Sequence, residues 1–255
     1  MSTEMEARLE RERLFHDERF SDGDSRAHQK RFYWAISDGS ERYTETVLKF
    51  AENADVLEYG CGDAENHHSF APYARSYVGI DISDAAISRL SASHSFANVK
   101  HLRMDAHAMT FADDSFDLVF GSGIIHHLDT ELSAKEICRV LRPGGRSIFW
   151  EPLGANPLIN LYRSLTPNAR TPDEHPLLPR DFHIMRKYFS NIEIKYYGLF
   201  TIACIPLQKM SKAKTIFSVA KKLDHFFLSL PGMRWLAWYV LIICSEPRRE
   251  ASEAY

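Results

Sequence analysis

The sequence predicts an α/β fold with a doubly wound, mostly parallel sheet of seven strands. Between residues 54 and 151, short apolar strands alternate with helical patterns, which is typical of a parallel sheet covered by helices on both faces. The first strand, within residues 56–62 (VLEYGCG), runs into a glycine turn, and the second strand ends in a carboxylate, Asp81. The chain of 255 residues is 45% apolar, which is enough for a sizeable core.

Apolar spacing assigns the individual elements. The predicted strands are residues 56–59, 77–81, 99–104, 116–120, 147–150, 192–205 and 237–244. The predicted helices are a short one within residues 1–30 and longer ones at 41–53, 67–74, 84–92, 130–141, 181–189 and 208–230. Ser83 is a good N-cap for the helix that follows it. The helix at 130–141 is expected to turn Leu132 inward.

The pattern divides the chain into three parts of one domain. Residues 1–50 predict an amino-terminal helical cover, residues 51–151 a ligand-binding sheet core, and residues 152–255 the remaining strands. Residues 152–181 are rich in proline and show little periodicity, and so long a loop inside a compact domain is often functional. We expect this loop and the helix at 208–230 to be two insertions at the substrate edge of the sheet.

Composition excludes several classes of protein. The net charge is −3, and although residues 151–255 carry 14 Lys and Arg against 9 Asp and Glu, neither half is basic enough to predict nucleic-acid binding. The four cysteines are widely separated, so free thiols in a reducing, cytoplasmic compartment are expected. Residues 1–15 contain no apolar signal region, and the longest apolar run, Trp235–Cys244, is too short to span a bilayer.

The glycine turn and Asp81 together predict a cofactor that contains a nucleoside. Gly60 and Gly62 place no Cβ where the backbone must approach a ligand. Asp81 ends the second strand, where a carboxylate can accept hydrogen bonds from the two hydroxyls of a ribose. A dinucleotide is disfavoured, because Glu65 stands where the pyrophosphate motif has its third glycine, and an anion would meet that acid.

Five motifs, in order, resemble those of class I S-adenosylmethionine-dependent methyltransferases. They are VLEYGCGDA, YVGIDIS, RMDAHAMTF, FDLVFGSGIIHHLD and LRPGG, all within residues 54–151. The resemblance is to the broad type 11 group that includes the ubiquinone and menaquinone methyltransferases, and it implies a Rossmann-like methyltransferase fold. One position departs from the pattern, because Ala64 replaces the third glycine of the first motif.

The resemblance implies S-adenosyl-L-methionine as the cofactor, S-adenosyl-L-homocysteine as its product, and no metal ion. By position it assigns Glu58 to orienting the glycine loop, Asp81 to the ribose, and Asp105 to the amino group of adenine. The implied cofactor-binding residues are Glu58, Gly60, Gly62, Asp81, Ile82, Asp105, Ala106 and Gly121.

Two histidines after the fourth strand are candidates for catalysis. His126 and His127 lie at the edge where ligands bind in such sheets, and an imidazole with a pKa near 6.5 is a suitable base. A hydroxyl or ammonium acceptor must lose a proton when it is methylated. The resemblance implies that histidines at this motif act with an acid after the fifth strand, which is Glu151 here. Which of the two histidines is the base stays open.

Four residues are predicted to contact the substrate. They are Arg163, Arg170 and His175 of the proline-rich loop and Tyr33 of the amino-terminal cover. The predicted function is methyl transfer to a small molecule, and an oxygen of a natural product or a glycosidic metabolite is the favoured acceptor.

Two other functions stay open at the level of sequence. Residues 208–239 predict a lysine-rich amphipathic helix followed by aromatic side chains, which could make a weak contact with a membrane surface. A methyltransferase peripheral to the membrane, acting on a lipid-like or quinone acceptor, is therefore the first alternative. A module that binds the cofactor without catalysis is the second.

Overall fold

One seven-stranded sheet organises the protein. The structure, a computed structural model, describes residues 3–21, 30–62, 66–93, 96–166, 171 and 173–249. The strands are β1 (Asp55–Tyr59), β2 (Ser76–Asp81), β3 (Val99–Arg103), β4 (Phe116–Ser122), β5 (Leu141–Pro152), β6 (Phe189–Tyr197) and β7 (Tyr239–Pro247). Their order across the sheet is β3-β2-β1-β4-β5-β7-β6. Strands β1 to β5 pair in parallel, and β7 runs antiparallel to β5 and β6. The predicted fold class is confirmed.

Helices cover both faces of this sheet. In the described part of the chain they are α1 (Thr3–Ser21), α2 (Lys30–Tyr33), α3 (Ser37–Ala51), α4 (His67–Phe70), α5 (Asp84–Ser93), α6 (Thr130–Val140), α7 (Pro157–Ser164), α8 (Pro179–Tyr188) and α9 (Ala213–Leu228). Ser83 caps α5 as predicted, because its Oγ accepts a hydrogen bond from the Ala86 N–H at 3.1 Å.

The two faces carry separate apolar cores, because successive residues of a strand point to opposite sides. Val56, Leu118 and Ile148 pack on the face covered by α3. Leu57 and Val119 pack on the face covered by α6 and α8. All five side chains are fully buried, so both faces of the sheet are shielded from water.

The parallel strands bring their carboxyl ends to one edge of the sheet. Glu58 of β1 lies opposite Gly79 of β2 and Phe120 of β4, so the loops after these three strands leave the sheet at the same level. In open α/β sheets this is the edge where ligands bind.

The sixth strand is shorter than the predicted span of 192–205. It ends at Tyr197, and Gly198 then adopts a φ of 79°, a conformation that favours glycine. A 3₁₀ helix follows at Thr201–Leu207. The buried carboxylate of Asp224 in α9 accepts hydrogen bonds from backbone N–H groups at its start. This capping by a distant residue ends the strand, and the apolar pattern alone does not reveal it.

Three further expectations differ from the structure. Helix α1 spans 19 residues and is not the short helix predicted. Leu132 is 40% exposed, because Asp129 caps α6 and the buried side of that helix runs through Ala134 and Ile137. The stretch predicted as a loop at 152–181 contains α7, which Asn156 caps by accepting hydrogen bonds from two backbone N–H groups.

The helices are short or polar relative to the demands of a lipid bilayer. Among the described residues, none combines the length and the apolar character that crossing a membrane requires.

Gly39 in α3 limits the size of the side chain that can face the sheet. A Cβ at this position would lie 2.2 Å from Trp150 Cη2 and 2.7 Å from Tyr197 Cγ. Alanine normally stabilises a helix over glycine by about 1 kcal/mol, but overpacking a core costs about 1–3 kcal/mol. We therefore expect Gly39→Ala to lower the free energy of unfolding in urea denaturation. The control is Glu41→Ala, an exposed position in the same helix. Equal effects of the two substitutions would contradict the close packing at Gly39.

Candidate functional site

A cleft of about 340 Å³ opens at the carboxyl edge of the sheet. Its walls come from the loops after β1, β2, β3 and β4 and from one face of α1. Eight of the predicted site residues line this cleft. They are Glu58, Gly60, Gly62, Asp81, Ile82, Asp105, Ala106 and His127.

The glycine turn after β1 forms the floor of the cleft. Gly60 and Gly62 have φ values of 73° and 53°, in the left-handed region that strongly favours glycine. A Cβ on Gly60 would also lie 2.5 Å from Cγ1 of Ile124 in the loop after β4. The turn is therefore bare backbone, which a ligand can approach closely. Ala64 and Glu65, the next positions of interest in this loop, lie outside the described residues.

Asp81 ties the end of β2 to the glycine turn. Its Oδ2 accepts a hydrogen bond from the Gly62 N–H at 2.8 Å, and its Oδ1 accepts one from the Ser83 N–H at 2.9 Å. The carboxylate is thereby fixed at the wall of the cleft, next to Ile82. This is the position at which a ribose-binding acid was expected.

Glu58 is a buried acid beneath the glycine turn. Its Oε2 accepts a hydrogen bond from the Tyr77 hydroxyl, and its Oε1 accepts one from Asn66 Nδ2 at 2.6 Å. Burial raises the pKa of Glu58 to about 7 and outweighs the lowering effect of these two donors. Because Asn66 directly precedes α4, Glu58 connects β1 to the start of that helix.

Asp105, after β3, is oriented by a histidine that the sequence analysis missed. Asp105 Oδ1 accepts a hydrogen bond from the His107 backbone N–H at 2.9 Å and lies 3.0 Å from His107 Nδ1. His107 Nε2 accepts a hydrogen bond from the Asp129 N–H at 2.9 Å, so the ring proton sits on Nδ1 and points to Asp105. The His107 contacts lower the pKa of Asp105 against the opposing effect of burial.

Helix α1 spans the open side of the cleft and is fastened at several points. Arg8 Nη2 donates to the His127 carbonyl at 2.8 Å. Glu12 Oε1 accepts from the Thr171 hydroxyl at 2.5 Å. One turn further on, Asp17 Oδ1 accepts from the Ser83 hydroxyl at 2.6 Å. These contacts join α1 to the loops after β2 and β4.

His127 faces the cleft with an acid beside it. Its Nδ1 lies 3.2 Å from Oε2 of Glu12, which is also 3.5 Å from Nε2 of His16. Burial and the neighbouring His126 lower the pKa of His127, while the Glu12 carboxylate opposes them. Burial opposes the ionisation of Glu12, but its contacts with His127 and His16 outweigh it and lower the pKa of Glu12. The neutral imidazole of His127 is thus available to accept a proton near neutral pH.

His126 is turned away from the cleft wall and bonded to Glu151. Its Nδ1 lies 2.7 Å from Oε2 of Glu151, and Oε1 of the same carboxylate accepts from the N–H groups of Ile124 and Ile125 at 2.9 and 3.0 Å. Burial raises the pKa of Glu151 to about 7. Glu151 therefore holds the short 3₁₀ helix at Ile125–His127 in place.

Other predicted site residues lie away from the cleft wall. Gly121 packs inside the sheet, where a Cβ would lie 2.5 Å from the Tyr59 carbonyl oxygen. Tyr33 packs against the apolar core under α3. Arg163 donates to the Leu153 carbonyl at 2.7 Å.

Two further residues predicted to contact the substrate, His175 and Arg170, belong to the proline-rich segment. The His175 backbone N–H donates to the His126 carbonyl at 2.8 Å. Arg170 lies outside the described residues. The substrate-contact roles of Tyr33, Arg163, Arg170 and His175 stay predictions.

Two groups of side chains have donor atoms close enough to hold a metal ion. They are Glu12, His16 and His127, and His126, His127 and Glu174, with the donor atoms of each group within 4.8 Å of one another. Carboxylate and imidazole groups are ligands of Zn²⁺ and other first-row divalent ions. The sequence-based expectation of no metal stays a prediction.

The sequence predicts an amino-terminal cover, but it does not identify Arg8 and Glu12 as the side chains that α1 brings to the cleft. Arg8, Glu12 and His16 follow at four-residue spacing and therefore share one face of the helix. This spacing is the available signal. In a helix so rich in charge, however, it is equally typical of a solvated face, and only the fold shows that it meets the cleft.

The amino-acid sequence matches a known family over the part that builds this cleft. The sequence model of the family described as "Methyltransferase domain" matches residues 57–149. A Mycolicibacterium smegmatis protein named "Probable S-adenosylmethionine-dependent methyltransferase" is 34% identical over 92 residues, which are 36% of this chain and 35% of the relative. UbiE of Geotalea daltonii, a ubiquinone/menaquinone biosynthesis C-methyltransferase, is 30% identical over 118 residues, 43% of this chain and 50% of the relative. The chain thus spans only a third to a half of the length of these curated relatives.

A solved structure shares the fold. The crystal structure of the YcgJ protein of Bacillus subtilis aligns with a TM-score of 0.54 and 17% sequence identity, covering 82% of this chain and 99% of YcgJ. Sheet order, glycine turn and acidic cleft define a protein of the Rossmann-like methyltransferase fold. Together with the family match over residues 57–149, these relatives support a class I S-adenosylmethionine-dependent methyltransferase domain of the type 11 group in this part of the chain.

The raised pKa of Glu58 makes stability depend on pH. The folded state binds this proton more tightly than the unfolded state, so the stabilisation is full below the ordinary pKa of 4.5 and is lost as the pH rises through about 7. Gln cannot ionise. We therefore expect the stability of Glu58→Gln relative to wild type to rise between about pH 5 and about pH 8, by up to about 3 kcal/mol. Urea denaturation measures this difference, with the exposed substitution Glu45→Gln as a control. A difference that does not change with pH would contradict the assignment.

Proposed function

We propose that the protein transfers the methyl group of S-adenosylmethionine to an oxygen atom of a small molecule. The observation that carries this proposal is the position of His127, which lies on the cleft wall with the Glu12 carboxylate 3.2 Å from its Nδ1. An alcohol or phenol acceptor needs a proton acceptor beside the cofactor, and a module that only binds the cofactor does not. A natural product or a glycosidic metabolite remains the favoured substrate class.

The residues of the cleft fit the cofactor. Gly60 and Gly62 present backbone without side chains on the wall of the cleft, where a ligand can approach closely. Asp81 at the end of β2 suits the ribose hydroxyls, and Asp105 suits the amino group of adenine. When bound, the cofactor supplies a methyl group on a sulfonium cation. The wall formed by Glu58, Asp81 and Asp105 is compatible with that positive charge.

In this proposal one side chain accepts the proton, and three others hold that side chain in position. His127 accepts the proton of the acceptor hydroxyl, and its lowered pKa keeps it neutral for this purpose. Glu12 is a positioning residue that holds the ring and stabilises the imidazolium that forms. His126 and Glu151 fix the 3₁₀ helix that carries His127. The proposal thus names His127 as the base, where the sequence left the choice between His126 and His127 open.

A lipid-like acceptor is the second candidate. The relative of Geotalea daltonii is named for ubiquinone/menaquinone biosynthesis and for C-methylation. By that resemblance, a carbon atom of a lipid-soluble acceptor is the alternative to an oxygen atom of a polar one. A carbon acceptor also loses a proton on methylation, so His127 keeps its role under either candidate.

Asp81→Asn tests the cofactor assignment. Asparagine is neutral, so it weakens the two hydrogen bonds that the Asp81 carboxylate would accept from the ribose hydroxyls. Charge-assisted hydrogen bonds contribute about 1.5–3 kcal/mol each. We therefore expect at least a roughly tenfold loss of affinity for S-adenosylhomocysteine. Isothermal titration calorimetry measures this loss. Asp84→Asn, at an exposed acid three residues further on, is the matched control and should bind as the wild type does. If wild-type protein bound no S-adenosylhomocysteine, the whole proposal would fail.

His127→Gln tests the base. We expect kcat to fall by about 10²–10⁴-fold while the affinity for S-adenosylhomocysteine stays unchanged. In wild-type protein, kcat should decline as the pH falls through the lowered pKa of His127. Glu12→Gln should move this decline to still lower pH, because the carboxylate favours the protonated ring. Rates measured across pH with a panel of methyl acceptors give the fall in kcat and the pH at which kcat declines.

Two outcomes would contradict the assignment of His127. One is a loss of the pH dependence in His126→Gln but not in His127→Gln, which would make His126 the base. The other is a loss of activity after treatment with EDTA that a divalent ion restores, since the proposed chemistry needs no metal.

A further inference from the structure

The exposed apolar side chains are concentrated in two segments. Of the 13 large apolar residues exposed in the described part of the chain, nine lie in residues 158–165, which belong to α7 and its carboxyl end, and in residues 210–230. They are Leu158, Leu161, Tyr162, Leu165, Met210, Val219, Leu223, Phe226 and Leu230. Apolar residues scattered singly over a surface need no explanation, but a contiguous patch marks an interaction site.

Helix α9 presents its share of these residues as one stripe. Val219, Leu223 and Phe226 recur at spacings of four and three, so they lie on one side of the helix, and Leu230 follows two residues after its end. Phe226 is 62% exposed. The opposite side of the helix is fixed to the protein. Its buried residues include Asp224, whose carboxylate accepts hydrogen bonds from the N–H groups of Leu199 and Phe200 and from the Thr201 hydroxyl. The stripe therefore points away from the sheet.

Aromatic contacts connect α7 to α9. Tyr162 of α7 packs on Phe32 at a ring-centroid distance of 5.6 Å. Two residues on, Trp34 packs on Phe217 of α9 at 4.2 Å. Leu158 of α7 and Leu165, which directly follows this helix, are 75% and 73% exposed. Phe32 and Trp34 thus link the exposed apolar residues of 158–165 to those of 210–230, and we call the surface formed by these two segments the α7/α9 face.

The charge of this face is positive. Residues 205–234 contain one acid, Asp224, and it is buried. Lys212 directly precedes α9, and Lys222 flanks the stripe within the helix; both side chains are exposed. Lys221 is paired with Asp38. The ion pairs within the described residues involve neither Lys212 nor Lys222.

We propose that the α7/α9 face binds the surface of an anionic lipid bilayer. Apolar side chains on one side of a helix, flanked by lysines, are the chemistry that inserts into the headgroup region of such a surface. The lysines complement anionic headgroups, and the near absence of acids removes repulsion. A second protein copy would instead bring the same lysines face to face. The proposal does not depend on methyl transfer, because binding to lipid is measured without cofactor or acceptor.

Flotation of the full chain with vesicles tests the proposal. One set contains only phosphatidylcholine, and the other contains equal parts of phosphatidylcholine and phosphatidylglycerol. We expect binding to the anionic vesicles that weakens as salt is added. Leu223→Ser with Phe226→Ser should reduce the partition coefficient by about tenfold or more. The matched control is Leu132→Ser, since Leu132 in α6 is 40% exposed and Leu223 is 41% exposed.

A charge-matched pair of variants separates lysine position from net charge. Lys212→Gln with Lys222→Gln should reduce the partition coefficient by about fivefold per lysine. Lys100→Gln with Lys135→Gln has the same net charge but changes exposed lysines of β3 and α6, and it should bind as the wild type does.

Three outcomes would overturn the proposal. They are no binding to either vesicle, equal binding by the Leu223/Phe226 variant and the wild type, and a wild-type dimer in light scattering that this variant abolishes without any vesicle binding. The last outcome would assign the face to self-association. An unchanged midpoint of urea denaturation shows that each variant is folded, whether or not the protein binds S-adenosylhomocysteine, so a failure here is distinct from a failure of the proposed function.

Discussion

The carboxylate of Glu151 is the interaction on which the site depends. It lies at the end of β5 with no exposure to water and contacts three polar hydrogens, two from the backbone and one from His126. The groups of Ile125 and His126 are buried and that of Ile124 is partly buried, so the loss of the carboxylate would leave polar groups without partners, which is costly in an apolar interior. The bonds fix Ile124, whose side chain packs against Gly60. Glu151 thus fixes the position of the glycine turn through Ile124, and it fixes the orientation of His127 through the 3₁₀ helix.

Helix α1 completes the site from the other side. The chain that builds the cofactor floor lies within residues 57–149, but the acid beside His127 comes from residue 12 and is bonded to Thr171. Three distant segments therefore meet at the Glu12 carboxylate, which contacts both His127 and Thr171. Such an arrangement lets the chemistry of the cleft vary through the cover and the proline-rich segment, while the sheet and the cofactor loops stay the same.

The part of the site that the sequence reveals is the part encoded by local contacts. Gly60, Gly62 and Asp81 are recognisable because a turn conformation and a strand end need only neighbouring residues to be specified. Glu12 is not recognisable, because its role exists only after α1 has crossed the cleft. The same reason explains the end of β6, which depends on Asp224 in a helix that follows it by more than twenty residues. Apolar periodicity reports what is buried, and it does not report which polar group caps which backbone.

Hydrogen bonds and ion pairs hold α1 over the cleft, and they affect how the cleft opens. Among the side chains of this helix that the structure describes, only that of Glu12 is fully buried, and hydrogen bonds and ion pairs hold the helix together with the half-buried side chains of Leu9 and Phe15. Detaching the helix would expose much less apolar surface than unfolding the sheet, so its heat-capacity change is the smaller of the two. Local opening of the cover is therefore separable from unfolding of the sheet, and ligand exchange can proceed with the core intact.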